Sequence, residues 1–431
     1  MDEINRNRLE EFRQLRQEVR HSEEYLIVGI DIAKERHHAF FGTPTGKTLL
    51  RRLVFSNDHE GFRKLLDQAE ALRVQHGLKR VVYGMEPTAN YHKPLGEYLI
   101  NLGKTVVLVS GVTVKRNRES LDGRWDKHDV KDSANVADLI SQGKCLYYEY
   151  PSAELRGLRG LLSLKRRLKK QEQSCRVRIR NHLIAQYYPE MDRDYERLGA
   201  EGLAIVRWYP AASRIAQLDV DPFIERVTSR RIRMEKRRRL EGIWEKAAES
   251  IGCEGVPGVE HEAKVMVEGL KQTRAMIKET EERIEELCKE FPEYRYILTI
   301  PGFGPDVSAK VLGAVGDPER FQNGKQVLKM GGLDLSAERS GKDSDRAVPE
   351  ISKRGKADLR YALYQAALVA SVKNRDIMIY YTHKIRGREK EKGIQTKMRV
   401  KLAAKLLVIA WTLMKKREAF NPAYLNAHNP E

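Results

Sequence analysis

The stretch YLIVGIDIA at 25–33 constrains the fold more than any other. It is apolar with two-residue periodicity, too short for a buried helix, and carries an acid near its end, which marks a buried strand. HHAFFGT (37–43) and TLLRRLVFS (48–56) follow, the second after the turn-forming TPTG, so three strands form a meander. Asp58 is placed to cap a helix running to about Leu72. RVVYGME (80–86) is a fourth strand and leads into HKPLGEYLINLG, a helix ending on Gly103. TVVLVS (105–110) is a fifth strand. By its hydrophobic pattern, residues 25–150 form a mixed α/β domain.

The rest of the chain reads differently. Residues 1–24 are charged throughout and lack the apolar core of a signal peptide, so they form an N-terminal helical extension. Residues 151–291 place leucines at helical spacing among Lys and Arg, with basic runs at 165–180 and 229–239. Such runs are either solvated helical faces or an arm that tracks phosphates, and the insert has a coiled-coil-like pattern. Residues 292–425 form a mainly α-helical C-terminal domain. The chain's 431 residues carry 79 Lys and Arg against 61 Asp and Glu, a net charge of +18, which points to a polyanionic partner. No run of about 18 apolar residues exists to span a bilayer, and the cytoplasm is the expected compartment. Cys145, Cys175, Cys253 and Cys288 are scattered without zinc spacing and read as ordinary residues.

The carboxylates carry the chemistry. Asp31 ends the first strand in GIDIAK and Glu86 ends the fourth in GMEPTANYH. Asp129 and Asp132 lie three apart in KHDVKDSANVADLI, on one face of a predicted helix. An all-oxygen set of this kind suits Mg²⁺ or Mn²⁺, and two ions ~4 Å apart clamp the attacking and leaving oxygens of a phosphodiester. Each acid alone also reads as a turn or capping residue. Asp122, Asp126 and Asp138 compete nearby, and Asp126 shares the face of Asp129.

Two further motifs stand in the C-terminal domain. IPGFGPDVSAKVLGAVG (300–316) resembles a helix-hairpin-helix, whose glycine turn brings backbone N–H groups to a DNA phosphate; the alternative is a packed loop between helices. GLDLSAERSGKDSD contains Ser336, Ser340 and Ser344. Ser340 stands between Arg339 and Gly341-Lys342, a cationic setting that favours a bound phosphate.

The order β-β-β-α-β-α-β-α over residues 25–145 is that of the RNase H fold. Together, GIDIAK, GMEPTANYH, K-x-D-x-x-D at 127–132, the 300–316 motif, GLDLSAERSG and ISKRGKADLR resemble the DEDD transposases of the IS110-type insertion sequences over about residues 25–425. That resemblance implies a RuvC-like domain with Asp31, Glu86, Asp129 and Asp132 as its metal ligands. It implies that Ser340 attacks the DNA backbone and becomes a covalent phosphoserine. It also implies donor and target DNA, an element-encoded noncoding guide RNA, and a tetramer on nucleic acid. His128, Ser133 and Leu335 depart from the usual Thr, Ala and Pro, and the last leaves Ser336 as the weaker alternative nucleophile.

Three other readings compete. GIDIAK resembles the first phosphate loop of actin-like ATPases and sugar kinases, but no second phosphate loop or Gly-Gly adenosine motif follows in place. A junction-resolving nuclease needs only the carboxylates and leaves residues 292–425 without a purpose. A non-catalytic nucleic-acid-binding protein has no need to keep all four acids and Ser340.

Overall fold

A computed structural model describes residues 14–20, 22–121, 129–148, 150–194, 198–228, 232–336 and 350–426, with the backbone alone at 120, 121, 129, 130, 336 and 426. The chain divides into two compact units, Met1–Ser152 and Ala153–Glu431.

The first unit is built on β1 (Tyr25–Asp31), β2 (Arg36–Gly42), β3 (Thr48–Ser56), β4 (Arg80–Met85), β5 (Thr105–Leu108) and β6 (Leu146–Tyr147). These form one sheet in the order β3-β2-β1-β4-β5-β6. The meander is antiparallel, β4 and β5 run parallel to β1, and β6 closes the edge antiparallel to β5. The helices are α1 (His59–Gln75), α2 (His92–Asn101), α3 (Gly111–Leu121) and α4 (Asp129–Ser141). Asp58 caps α1, its carboxylate accepting the Gly61 amide at 2.8 Å. The mixed α/β reading of residues 25–150 is therefore correct, with β6 added.

Strand β1 is buried and without a charge from Tyr25 to Ile30 because both faces of the sheet are covered. Leu26, Val28 and Ile30 join a core with Phe62 and Leu65 of α1 and Leu95 and Leu99 of α2. Tyr25 and Ile27 point the other way, into a core with Val82, Val107, Val114, Val136 and Ile140 under α3 and α4. Each such side chain contributes roughly 1.5–3 kcal/mol on burial. The N-terminal extension is helical over 14–19 and belongs to this second layer. Val19 is buried there, while Arg16 and Arg20 donate to the carbonyls of Gly143 and Gln142 just past the C-terminal end of α4, where cations are favoured.

The second unit is helical, and its helices include α5 (Ala153–Arg178), α6 (Met234–Ala248), α7 (Val259–Lys289), α8 (Pro305–Val315), α9 (Gly324–Gly331), α10 (Ala357–Lys373), α11 (Arg375–Ile385) and α12 (Ile394–Lys416). A π-helical turn, Ile179–Ile184, continues α5. Two cores hold the unit. One gathers Ile179, Leu183, Leu203, Phe223, Leu240, Ile243 and Val267. The other joins Leu158 of α5 and Ile284 of α7 to Leu312, Leu363, Leu406 and Trp411.

The basic run of α5 is partly consumed by this packing. Lys165 is only 12% exposed and holds Asp306 at 2.6 Å and Glu281 at 2.8 Å. Lys169, Arg178 and Arg180 pair with Glu172, Glu262 and Asp192. In the second run, Lys236 pairs with Glu201, and Arg237 with Asp221 and Glu241. Neither run is thus a uniformly free cationic face. The four cysteines are free thiols, and burial pushes the Cys288 thiol up to about 12, so it is inert at neutral pH. Among the described residues no helix is long and apolar enough to cross a membrane.

Candidate active site

Two glycines prepare the carboxylate end of the sheet. Gly29 of β1 pairs in register with Gly84 of β4. A Cβ on Gly29 would lie 2.3 Å from the Ser133 carbonyl oxygen and 2.6 Å from the Ala137 nitrogen; one on Gly84 would meet the Ile140 side chain. The pair forms a trough in which α4 sits directly on the sheet. Asp31 closes β1 and Glu86 follows β4 by one residue, so both acids stand at the same end of adjacent strands. Their strands are ~4.8 Å apart. The opposite neighbour of Asp31 is His38 of β2. The loop that follows Asp31 is pinned by His37, which is fully buried and accepts the Ala33 amide at 3.2 Å. Burial lowers the pKa of His37 and so favours the neutral, accepting ring.

Glu86 meets the start of α3. A Cβ on Gly111, the first residue of that helix, would lie 2.6 Å from Glu86 Oε1. The carboxylate thus occupies space that only glycine leaves open, at a helix end that favours negative charge. Asp132 of α4 is buried, and its Oδ1 lies 2.6 Å from Arg118 of α3. Neither Oδ1 nor Arg118 Nε meets hydrogen-bond geometry, so the contact is electrostatic and leaves a buried acceptor unfilled. Asp138 has a different task. It accepts from Asn117 at 2.7 Å and Gln142 at 2.8 Å, while Asn135 donates to the Val114 carbonyl. That network ties α3 to α4 and accounts for Asp138 structurally.

Asp129 opens α4, but its side chain lies outside the described ones, as do Asp122 and Asp126. Among the described residues no three His, Cys, Asp or Glu side chains are grouped to hold a metal. By type the donors suit a hard cation: the carboxylates of Asp31 and Glu86 at the ends of adjacent strands, and Asp132, whose buried Oδ1 is held by the ion pair to Arg118 without a hydrogen bond.

The second centre is the root of the serine segment. Ser340 and Ser344 lie outside the described residues, as does the side chain of Ser336. The segment's two stems are described. β7 (Leu335–Ser336) pairs antiparallel with β8 (Glu350–Ile351). Just before β7, Gly332 has φ +65°, and just after β8, Gly355 packs on it so closely that a Cβ on Gly355 would lie 2.3 Å from the Gly332 nitrogen. Arg360 of α10 donates to the carbonyls of Gly331 at 3.2 Å and Gly355 at 2.9 Å, and Ser352 donates to Asp334. The sequence GGLDLS and the sequence ISKRGKADLR are the two halves of this clamp.

The 300–316 motif is a turn between a short helix, Tyr294–Ile297, and α8. Gly302 has φ +85°, and a Cβ there would lie 2.5 Å from the Ala366 carbonyl oxygen, so packing on α10 already requires glycine. Asp306, in the first turn of α8, is held by Lys165 and Lys310.

Comparison with known proteins separates the remaining readings. Residues 28–189 match the model of the DEDD transposase domain of IS110 elements, and residues 294–382 match the IS116/IS110/IS902 transposase family. The chain belongs to the IS110-type transposases. Relatives span nearly its whole length. The 44.8 kDa protein of insertion element IS116 from Streptomyces clavuligerus is 23% identical over 406 residues, covering 92% of this chain and 96% of that one. The 42 kDa protein of IS900 from Mycobacterium paratuberculosis is 24% identical, covering 93% and 98%. A mini-circle putative transposase for IS117 from Streptomyces coelicolor is 22% identical, covering 71% and 75%. As an IS110-type transposase the protein is an insertion-sequence DNA recombinase that uses divalent metal.

Sequence reading named Asp31, Glu86 and Asp132 as candidates but not the residues packed around them. Gly29, Gly84, His37, Gly111 and Arg118 carry no motif of their own. One signal was present: glycine stands two residues before the acid in both G-I-D and G-M-E.

Proposed function

We propose that the protein cuts and rejoins DNA with Asp31, Glu86, Asp129 and Asp132 as holders of Mg²⁺ or Mn²⁺, in a two-ion site, and Ser340 as the nucleophile. The observation that supports the metal half is the parallel register of β1 and β4, which runs as far as Ile30–Met85 and so brings Asp31 and Glu86 out at the same end of adjacent strands, beyond the Gly29–Gly84 trough that seats α4. Bound cations neutralise phosphate charge and favour ionisation of a hydroxyl. The protein's own part is to hold the acids together. Gly111 leaves room for the Glu86 carboxylate, and Arg118 offsets the buried charge of Asp132. The serine half is supported by the clamp of Gly332, Gly355 and Arg360, which fixes the stems of the segment bearing Ser340.

In the proposed reaction a bond forms between Ser340 Oγ and phosphorus while one phosphorus–deoxyribose oxygen bond breaks. Serine gives up a proton and the departing oxygen gains one. A hydroxyl of a second strand then attacks phosphorus and returns the serine. One phosphodiester replaces another, so no nucleotide triphosphate is needed. The partners in this reading are donor and target DNA, a noncoding guide RNA and further copies of the chain in a tetramer. The turn at 300–316 would touch a DNA backbone.

The test is trapping of labelled donor DNA on denatured protein, followed by mapping of the linked residue. The expected result is an adduct on Ser340 that requires metal, is lost in Ser340→Ala, and is lost in Asp31→Asn and Glu86→Gln with melting temperature retained. An adduct on Ser336 or Ser344, or undiminished cleavage in EDTA, overturns the assignment. RNA that co-purifies, and recombination that stops on RNase treatment, are the expected results for the guide.

A further inference from the structure

The C-terminal unit contains a cavity of about 1500 Å³ at the foot of the β7–β8 hairpin. Leu335, Glu350 and Ile351 of the two stems form part of its wall. The opposite walls come from α11 and α12. In the sequence KMRVKLAAKLLV, α12 carries two parallel stripes at four-residue spacing. One is Lys397, Lys401 and Lys405; the other is Val400, Ala404 and Val408, and both face the cavity. From α11 come Ile379, Tyr380, His383 and Lys384.

The surface is chemically divided. Its floor is aliphatic and aromatic, including an Ile379 that is 57% exposed. Its rim is cationic. Glu350 and Asp376 are the acids of the lining. Among the described residues Lys384, Lys397 and Lys401 are held by no carboxylate, whereas Lys353 and Arg388 pair with Glu350 and Glu391. Burial, then the charge of Lys384, lowers the pKa of Lys405. The volume exceeds the ~300–1,000 Å³ of ordinary small-molecule pockets. It has room for one or two nucleotide units but not for a double helix.

We propose that this groove holds unpaired deoxynucleotides of one DNA strand, with a base on the floor beside Tyr380 and Ala404 and the phosphates on Lys384, Lys397 and Lys401. Stacking on an apolar and aromatic floor with a cationic track is how single strands are held without a partner strand. The proposal rests on the reading that the hairpin presents the DNA-attacking serine. It adds that the DNA reaches that hairpin with its bases unpaired.

The experiment uses the full chain and three probes: a short labelled oligothymidylate, an oligouridylate of equal length and a duplex. Ala404→Trp fills the floor without changing charge. It should weaken oligothymidylate binding by about 10-fold, the effect of losing one stacked base, and leave duplex binding within about twofold. Lys384→Gln with Lys401→Gln removes the phosphate contacts and should lower the salt slope for the single strand by about one to two, which keeps the test decisive if the tryptophan variant misfolds. Photo-crosslinks from 5-iododeoxyuridine should map to Tyr380 or Met398. Unchanged single-strand binding in a folded Ala404→Trp protein, or crosslinks mapped elsewhere, overturns the proposal. So does tighter binding of oligouridylate, which makes the groove an RNA site, or an effect of Ala404→Trp on self-association alone, which makes it a contact between copies. Ser340→Ala should bind oligothymidylate normally, so a missing serine adduct and a missing groove are separate results.

Discussion

Gly111 shows how a residue without a functional group can govern one that has it. A methyl group at this position meets only the end of a flexible side chain, Glu86 Oε1, at 2.6 Å. The side chain can swing aside at little cost to folding, but it then leaves its place at the start of α3. Gly111→Ala should therefore melt within a degree or two of the parent while losing about 10–100-fold in metal affinity or cleavage, as supporting residues of metal sites commonly do. Isothermal titration with Mn²⁺ beside a melting curve checks it; a loss of stability without a loss of affinity contradicts it. Gly29→Ala should behave in the opposite way. Its clash is with the backbone of Ser133 and Ala137, which cannot step aside singly.

Among the elements, α5 and α8 are joined by a charge cluster that the sequence disguised as a nucleic-acid surface. Asp306 is half-buried, and the loss of solvent by itself raises a carboxyl pKa, but hydrogen bonds from Lys165 and Lys310 outweigh this and hold it below its ordinary 3.8. Burial lowers the Lys165 pKa, but its bonds to Asp306 and Glu281 outweigh that and raise it above 10.5. A depressed carboxyl stabilises the fold above its unfolded pKa and ceases to do so as pH falls through the folded value. The raised lysine stabilises below its unfolded pKa and ceases to do so as pH rises through the folded one. The cluster is thus intact between about pH 4 and 10. Asp306→Asn should lower stability by roughly 0.5–1.5 kcal/mol at pH 7, since the half-exposed carboxylate is partly screened by solvent, and the difference from wild type should shrink as denaturation curves are taken below pH 4. The same cluster explains the limits of sequence reading. Strands β1 to β5 were legible because alternation and turns are local properties. Lys165 was not, because its partners Glu281 and Asp306 lie more than 100 residues away. The acids Asp31 and Glu86 were legible as strand ends, whereas the trough beneath α4 exists only once two distant glycines fall into register.

At the scale of the molecule, a charge of +18 sets how strongly the protein responds to salt. Binding to nucleic acid should weaken steeply as salt rises, by about 0.9 in log–log slope for each phosphate engaged. The run on α5 now divides into separate tests. Arg167 and Lys170 are exposed and form no ion pair among the described residues. Their joint replacement by Gln should flatten the slope by about two at unchanged melting temperature. Lys165→Gln should do the reverse, lowering the melting temperature and leaving the slope alone. Anisotropy titrations at several salt concentrations separate the two, and a slope set by Lys165 would mean that its ion pairs open on binding.

The β7–β8 ladder has a practical corollary. Ser336 and Glu350 face each other as strand partners, so the chain leaves and re-enters the unit at points ~5 Å apart. Residues 337–349 are therefore a cassette. A two-residue Asn-Gly turn is able to close the same hairpin, and the shortened protein should fold with the parent's melting temperature while forming no DNA adduct. Exchange of cassettes between related recombinases would then transplant the nucleophile without disturbing its mount. A shortened protein that fails to fold would show that the segment is part of the mount itself.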